Sequence, residues 1–272
     1  MAFIEVKNVE FAYPNGYKAV DKINFSINKG ESVAILGQNG AGKTTAVKLL
    51  NGLYKPTSGN VVIDGKDTKN YTTAQISRMV GYVFQNPDDQ IFNENVYNEI
   101  AFGPKNMKLS KEEIDNRVNF AATLCNVETL LEENPYNIPY SSRKFITLAS
   151  VLAVNPDVII LDEPTAGQDK VGLDLISKII KVLIEKGKTV LTITHDMEFA
   201  AENFDRIIVM ADKKVVLDSN KYEIFYDEDC LKLSNLEAPS STKLAKELHI
   251  SEKILTTDEF IENIVRGIYD NK

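Results

Sequence analysis

A chain of 272 residues that is 43% hydrophobic can bury one large core without disulfides; its two cysteines, Cys125 and Cys230, match no metal or redox spacing and are expected as reduced thiols. With 31 basic against 39 acidic residues the formal charge is −8, which argues against the basic excess of an extended nucleic-acid surface, so no nucleic-acid partner is expected. A membrane-spanning helix takes about 20 consecutive apolar residues; runs such as 158–161 and 190–193 are strand-sized, and the opening MAFIEVKNVE lacks the basic start and apolar stretch of a signal peptide, so any membrane role is expected to be peripheral.

Along the chain, residues 3–13 and 24–27 carry the β-branched and aromatic content of strands, broken by the turn-forming Pro14-Asn15-Gly16, and predict an antiparallel β subdomain. The apolar runs 33–36, 158–161 and 190–194 do not alternate, as strands of a parallel sheet buried on both faces do not. Helical patterns separate them. Residues 86–155 read as mainly helical, with 111–124 placing Ile114, Val118, Ala121 and Ala122 on one face, and predict a helical subdomain inserted into an α/β core. Two short strands are expected within 206–217 around Asp212-Lys213, and helices at 240–248 and 257–268. The division is therefore a main domain at 1–217 and a small helical C-terminal extension at 218–272, without tandem repeats or low-complexity tracts.

The strongest chemical signal is Gly37-Gln38-Asn39-Gly40-Ala41-Gly42-Lys43-Thr44, which fits the phosphate-loop pattern G-x-x-x-x-G-K-[ST]. A buried strand ends at Leu36 and a helical pattern begins near Lys43, so the glycines can turn backbone N–H groups toward phosphate at a helix N-terminus. Lys43 would neutralise the β and γ phosphates, and the Thr44 hydroxyl would reach Mg2+. A second signal is the strand 158–161 running into Asp162 and Glu163. Side chains alternate along a strand, so the two acids point differently. Asp162 suits the shell of a magnesium ion, and Glu163 suits a water about to attack the γ phosphate.

Taken with these two motifs, Tyr13, Gln85, Asp162-Glu163-Pro164-Thr165, Ala166-Gly167-Gln168-Asp169 and His195 stand in an order that resembles the ATP-binding cassette (ABC) ATPases over residues 1–217. The resemblance implies a P-loop NTPase fold of the ABC type and ATP with Mg2+ as ligands. It also implies that Tyr13 stacks on adenine, that residues 37–44 and Thr45 hold nucleotide, and that Gln85 senses both the metal and the transporter. Asp169 would lie in the loop that meets a partner, and His195 would contact the γ phosphate. The run Phe84-Gln85-Asn86-Pro87-Asp88-Asp89-Gln90-Ile91-Phe92, then Ala101-Phe102-Gly103-Pro104, and Thr165-Ala166-Gly167 in place of a serine-rich form, resemble more closely the ATPase subunits of energy-coupling factor (ECF) importers of vitamins and transition-metal ions. That likeness implies an ATPase at the cytoplasmic face of the cell membrane. It would work with an integral membrane coupling subunit and, indirectly, a substrate-binding membrane subunit. Asp88 and Asp89 are candidate acceptors for arginines of a coupling helix.

The family's Leu-Ser-Gly-Gly-Gln signature, which in such dimers meets the nucleotide of the other protomer, is missing. Ungapped alignment puts Ile138-Pro139-Tyr140-Ser141-Ser142 in its place; a shifted alignment keeps Ser141 as the serine but still replaces both glycines. Pro139 offers neither hydroxyl nor N–H, and Tyr140 adds bulk where glycine allows close approach. The expectation is a heterodimer with a paralogous ABC ATPase that retains the signature, leaving one competent and one impaired site. Two alternatives are a non-catalytic nucleotide-binding regulatory or assembly subunit, and a soluble ABC protein acting on nucleic acid or the ribosome.

Overall fold

The computed structural model describes residues 2–270; residues 1, 271 and 272, the last two within the expected extension, lie outside them. Among the described residues ten strands can be traced: β1 (Ile4–Ala12), β2 (Lys18–Ile27), β3 (Ser32–Leu36), β4 (Ser58–Ile63), β5 (Lys66–Asp67), β6 (Val80–Val83), β7 (Val158–Asp162), β8 (Thr189–Ile193), β9 (Arg206–Ala211) and β10 (Lys214–Asn220). They form two sheets, a four-stranded antiparallel one in the order β2-β1-β4-β5 and a six-stranded one in the order β10-β9-β3-β8-β7-β6. In the larger sheet β9, β3, β8, β7 and β6 are parallel neighbours, and β10 closes the edge as an antiparallel hairpin partner.

The non-alternating apolar runs have a direct cause. Along β3, Ala34 and Leu36 point into one core while Val33 and Ile35 point into a second; along β7, Ile159 and Leu161 divide from Val158 and Ile160 in the same way. Both faces are covered, so both phases of the strand must be apolar. The second core lies toward the antiparallel sheet and α1 (Lys43–Leu50), near α2 (Thr73–Ile76). The first lies under α3 (Val96–Asn106), α4 (Lys111–Leu124) and α5 (Tyr140–Val154), which form the helical insertion, and under α6 (Lys170–Glu185) and α7 (Met197–Asn203). In α4 the buried residues are Ile114, Val118, Ala121 and Ala122, the face read from the sequence.

Several elements differ from the reading above. β2 starts at Lys18 instead of 24 because Ala19, Val20 and Ile23 are buried. β4, β5 and β6 were not anticipated, the last a four-residue strand whose Gly81 lies against Val151 and Pro156, too close for a side chain. The hairpin between β9 and β10 turns on Asp212 and Lys213, both at positive φ (46° and 69°), as its tight geometry requires, and β10 continues through residue 217 to Asn220. The extension contains α8 (Lys221–Tyr226) and α9 (Glu228–Ser234) before α10 (Ser240–Glu247) and α11 (Thr257–Asp270). Ile224, Phe225, Cys230 and Leu255 belong to the first core, so the extension shares the main domain's packing. Both cysteines are free and buried.

Arg206 ties the two sheets together. Its guanidinium donates to both Asp218 oxygens (2.8 Å each), to Glu31 (2.8 Å) and to the carbonyl of Ser26 in β2 (2.9 Å). Removing it leaves two carboxylates without their fork. Arg206→Ala is expected to lower unfolding stability by about 2 kcal/mol, read from urea denaturation with an unchanged m-value, since only native-state charge-assisted bonds are lost.

Candidate functional site

The site is built at the carboxyl ends of adjacent strands. β3 ends at Leu36 and the chain turns through residues 37–42 into α1, with Gly37, Gly40 and Gly42 at φ of 147°, 83° and 98°. Gly37 passes so close to the carbonyl of Met210, and Gly42 to that of Ala19, that a Cβ would lie 2.1 and 2.6 Å from those oxygens. Only glycine fits both the space and the left-handed backbone. Gly42 caps α1 without any side-chain bond, which leaves the first N–H groups of the helix available to an anion. The Lys43 ammonium is buried and folds back across the loop, donating to the carbonyls of Gly37 (2.5 Å) and Gln38 (3.2 Å). Burial pushes it below the usual lysine range, and the carboxylates of Glu163 and Asp162 pull it part of the way back.

Asp162 closes β7 and Glu163 follows it at φ 50°, a left-handed turn that separates the directions of the two acids. Both are buried, at 4% and 7% exposure. Burial pushes both carboxyls above their ordinary range. For Asp162 the opposing influences begin with the hydroxyl of Tyr82, which donates to Oδ2 at 2.5 Å, and include the hydroxyl of Thr44; for Glu163 they begin with His195 and include Lys43. His195 lies just beyond the end of β8 with an exposed ring, and its Nδ1 is 2.7 Å from Glu163 Oε2. The backbone of Glu163 is held as well: its N–H donates to Ile193 in β8 (2.9 Å) and its carbonyl accepts from the buried Lys144 ammonium of α5 (2.9 Å).

Every residue singled out from the sequence for nucleotide, metal or catalysis lines one cavity of about 900 Å3: Tyr13, Gly37 through Thr44, Thr45, Gln85, Asp162, Glu163 and His195. The Tyr13 hydroxyl lies 3.3 Å from that of Thr45, and its ring is braced edge-on by Phe11 and Tyr54. Tyr17, half exposed on the lip, lies nearly parallel to it at 6.4 Å between centroids. Asp162, Thr44 and Gln85 offer carboxylate, hydroxyl and amide oxygens, the hard donors that suit a magnesium ion taking its other ligands from phosphate and water.

Four contributions were not foreseen. Tyr82 and Lys144 hold the two acids; the lysine leaves a trace in the sequence as a charge on the apolar stripe of α5. The extension supplies part of the cavity wall through Asn235, Leu236, Glu237, Ala238, Ser240 and Lys243, and Ser240 anchors there by donating twice to Glu198 of α7. Arg143 binds Asp88 at 2.5 Å, so of the two acids expected to face an incoming arginine Asp88 is already engaged within the chain, while Asp89 is exposed. Asp169 is also exposed and caps α6 through the N–H of Gly172. In residues 138–142, read from the sequence as standing in the signature's place, Pro139 is the residue capping α5, without a side-chain bond, and Tyr140 to Ser142 form the first turn.

The ABC transporter family model matches residues 20–166. The energy-coupling factor transporter ATP-binding protein EcfA of Methanocaldococcus jannaschii is 38% identical over 272 residues, covering 97% of this chain and 98% of that protein. Its namesake in Methanococcus maripaludis is 37% identical, covering 93% and 92%. Some relatives are longer: the chain spans 45% of the length of a Caldanaerobacter subterraneus protein that is 42% identical over 258 residues. Among solved structures, cbiO1 of Clostridium perfringens, part of the ABC transporter complex cbiONQ, superposes with a TM-score of 0.78 at 33% identity, covering 92% of this chain and 99% of the other. An ATP-binding cassette solved as a dimer in a post-hydrolysis state with ADP and Pi superposes at 0.73 with 28% identity, covering 80% and 98%. The fold thus has its counterpart in known proteins: this chain belongs to the ABC transporter ATPases, among relatives that include the ATP-binding subunits of energy-coupling factor transporters.

Proposed function

We propose that this chain energises an ECF-type importer of vitamins or transition-metal ions, working peripherally at the cytoplasmic face of the membrane in a heterodimer with a paralogous ATPase. The observation that carries the hydrolytic part is the 2.7 Å pair between Glu163 and His195, set beside the buried Lys43 and Asp162 in one cavity. Tyr13 takes the adenine ring, the amides of residues 37–44 and the flanking Thr45 take the phosphates, and Lys43 supplies the fixed positive charge. Thr44, Asp162 and Gln85 would hold Mg2+, which when bound neutralises phosphate charge. Glu163 polarises the attacking water, and His195, paired with it through Nδ1, turns the rest of its exposed ring toward the γ phosphate.

Docking to the membrane subunit is supported by a second cavity of about 550 Å3 beside the chain that follows Gln85, lined among others by Phe84, Gln90, Phe92 and Phe102. Phe92 and Phe102 meet edge to face at 4.7 Å and are both exposed at its rim, the kind of apolar anchor a helix can seat upon. Asp89, and Asp88 once it exchanges its bond to Arg143, are the acceptors for arginines on that helix. Among the described residues no helix is long and apolar enough to cross a membrane.

Heterodimer formation rests on residues 138–142. A proline cap and a tyrosine in the first turn give a partner's γ phosphate neither a cap hydroxyl nor glycine amides. The same feature favours a second reading, a regulatory subunit that binds nucleotide without turning it over, and the two differ in what a partner does. This chain alone is expected to show little ATPase activity, and adding a paralogue with an intact Leu-Ser-Gly-Gly-Gln segment should raise it by about 10² or more, as restoring preorganised donors does. Glu163→Gln in this chain should then abolish most turnover, while the equivalent change in the paralogue should matter less. Robust hydrolysis by the chain alone, or equal sensitivity to the two changes, would contradict the single competent site; no hydrolysis in any pairing would favour the regulatory subunit.

Lys43 gives a test of the binding half. Because its ammonium both braces the loop and provides the charge, Lys43→Ala should weaken MgATP binding by about 10²-fold in equilibrium titration, the scale of losing a charge-assisted bond. Unchanged affinity would remove residues 37–44 from the nucleotide site.

A further inference from the structure

Lys144 has a charged head where its helix is apolar. In α5 it stands four residues before Leu148 and seven before Val151, on the stripe that packs into the first core, and it is 6% exposed. Among the described residues its ammonium makes one hydrogen bond, to the carbonyl of Glu163 at 2.9 Å, and lies 6.0 Å from the centroid of the Tyr140 ring. A buried ammonium without a contacting carboxylate is costly, and a methionine would fill the same volume without that cost. What the ammonium adds is a donor to the Glu163 carbonyl and a positive field behind Glu163 and Asp162. Burial lowers its proton affinity, and those two carboxylates partly restore it.

The recipient has a specific need for a fixed donor. Glu163 is held at φ 50°, a left-handed conformation that is strained for a residue with a side chain and persists only where its surroundings over-determine it. Its N–H is anchored to β8, and on the carbonyl side the anchors are Lys144 and a longer bond from Ala166 at 3.3 Å. A rotation of that peptide would swing the carboxylate away from His195. Lys144 reaches it from the first turns of α5, whose opening turn also contacts the loop beyond Glu163: Gln168 donates to the carbonyl of Ser141 at 3.1 Å.

We propose that Lys144 is a positioning residue for Glu163, and that through it the first turn of α5 sets the pose of the carboxylate in this chain's own site. In the dimer that turn faces the partner's nucleotide, so occupancy of one site would be felt at the other through a displacement of α5. The coupling rests on the dimeric hydrolytic reading above; the positioning itself does not.

The test has two arms. In the isolated chain, amide hydrogen exchange compares wild type with Lys144→Met, expected to speed exchange at Glu163, Thr165 and Ala166 about fivefold while residues 145–152 keep their protection. In the assembled transporter complex, the same variant should leave KM for MgATP within about twofold and lower kcat about tenfold, with Lys144→Arg recovering most of the loss because it keeps the charge and a donor. If Lys144→Met does not fold, Lys144→Gln, a shorter polar replacement, takes its place in both arms. Unchanged exchange at Glu163, Thr165 and Ala166 would overturn the proposal, as would a fall in kcat that Lys144→Arg does not recover. A wild-type complex without hydrolysis would sink the hydrolytic reading instead, while the exchange arm would still decide whether Lys144 positions Glu163.

Discussion

The structure depends on keeping one ammonium and two carboxylates out of water at the same strand ends. Lys43, Asp162 and Glu163 are each buried, and each is displaced from its ordinary proton affinity by that burial and drawn partly back by the opposite charge of the others. Charges so placed are tolerable only if their geometry is fixed. The fixing comes from strand order: β3, β8 and β7 are neighbours, Asp162 is in register with Ile193, and the three strands end at the phosphate loop, His195 and the acidic pair. The apolar runs of those strands, buried on both faces, hold that register.

Around this centre, the first turns of α5 serve more than one loop. Arg143 holds Asp88 beyond Gln85, Lys144 holds Glu163, and Ser141 receives Gln168 from the loop leading to α6. The opening of α5 is therefore closely engaged with its own chain. The extension adds a further wall: α10 docks on α7 through Ser240 and Glu198, bringing Lys243 to the cavity that holds His195.

Much of this was legible in the sequence for identifiable reasons. The phosphate loop and the acidic pair are local signals, because glycine spacing and a strand ending in carboxylates carry their own geometry. The buried strands announced themselves by their lack of alternation. The short strand β6 did not, since four residues containing Gly81 give no periodicity, and β2 was underestimated because Asp21 and Lys22 interrupt its apolar pattern. The roles of Tyr82, Arg143 and Lys144 were hidden for a different reason: each acts across a separation of 19 to 80 residues, and although Lys144 shows as a charge on an apolar stripe, nothing near any of them in sequence names the partner. Asp88 was read as a free acceptor because its cation lies 55 positions further on.

The central claim is that Glu163 is the group acting on water in a site that otherwise only binds. Single-turnover hydrolysis by the assembled complex, with Glu163→Gln against wild type and nucleotide affinity measured alongside, tests it most directly. The amide keeps the shape and the contact to His195 but cannot take a proton, so affinity should stay within about twofold while the hydrolytic step slows by about 10² or more and the nucleotide-bound dimer persists. Hydrolysis at the wild-type rate with Glu163→Gln would contradict the account.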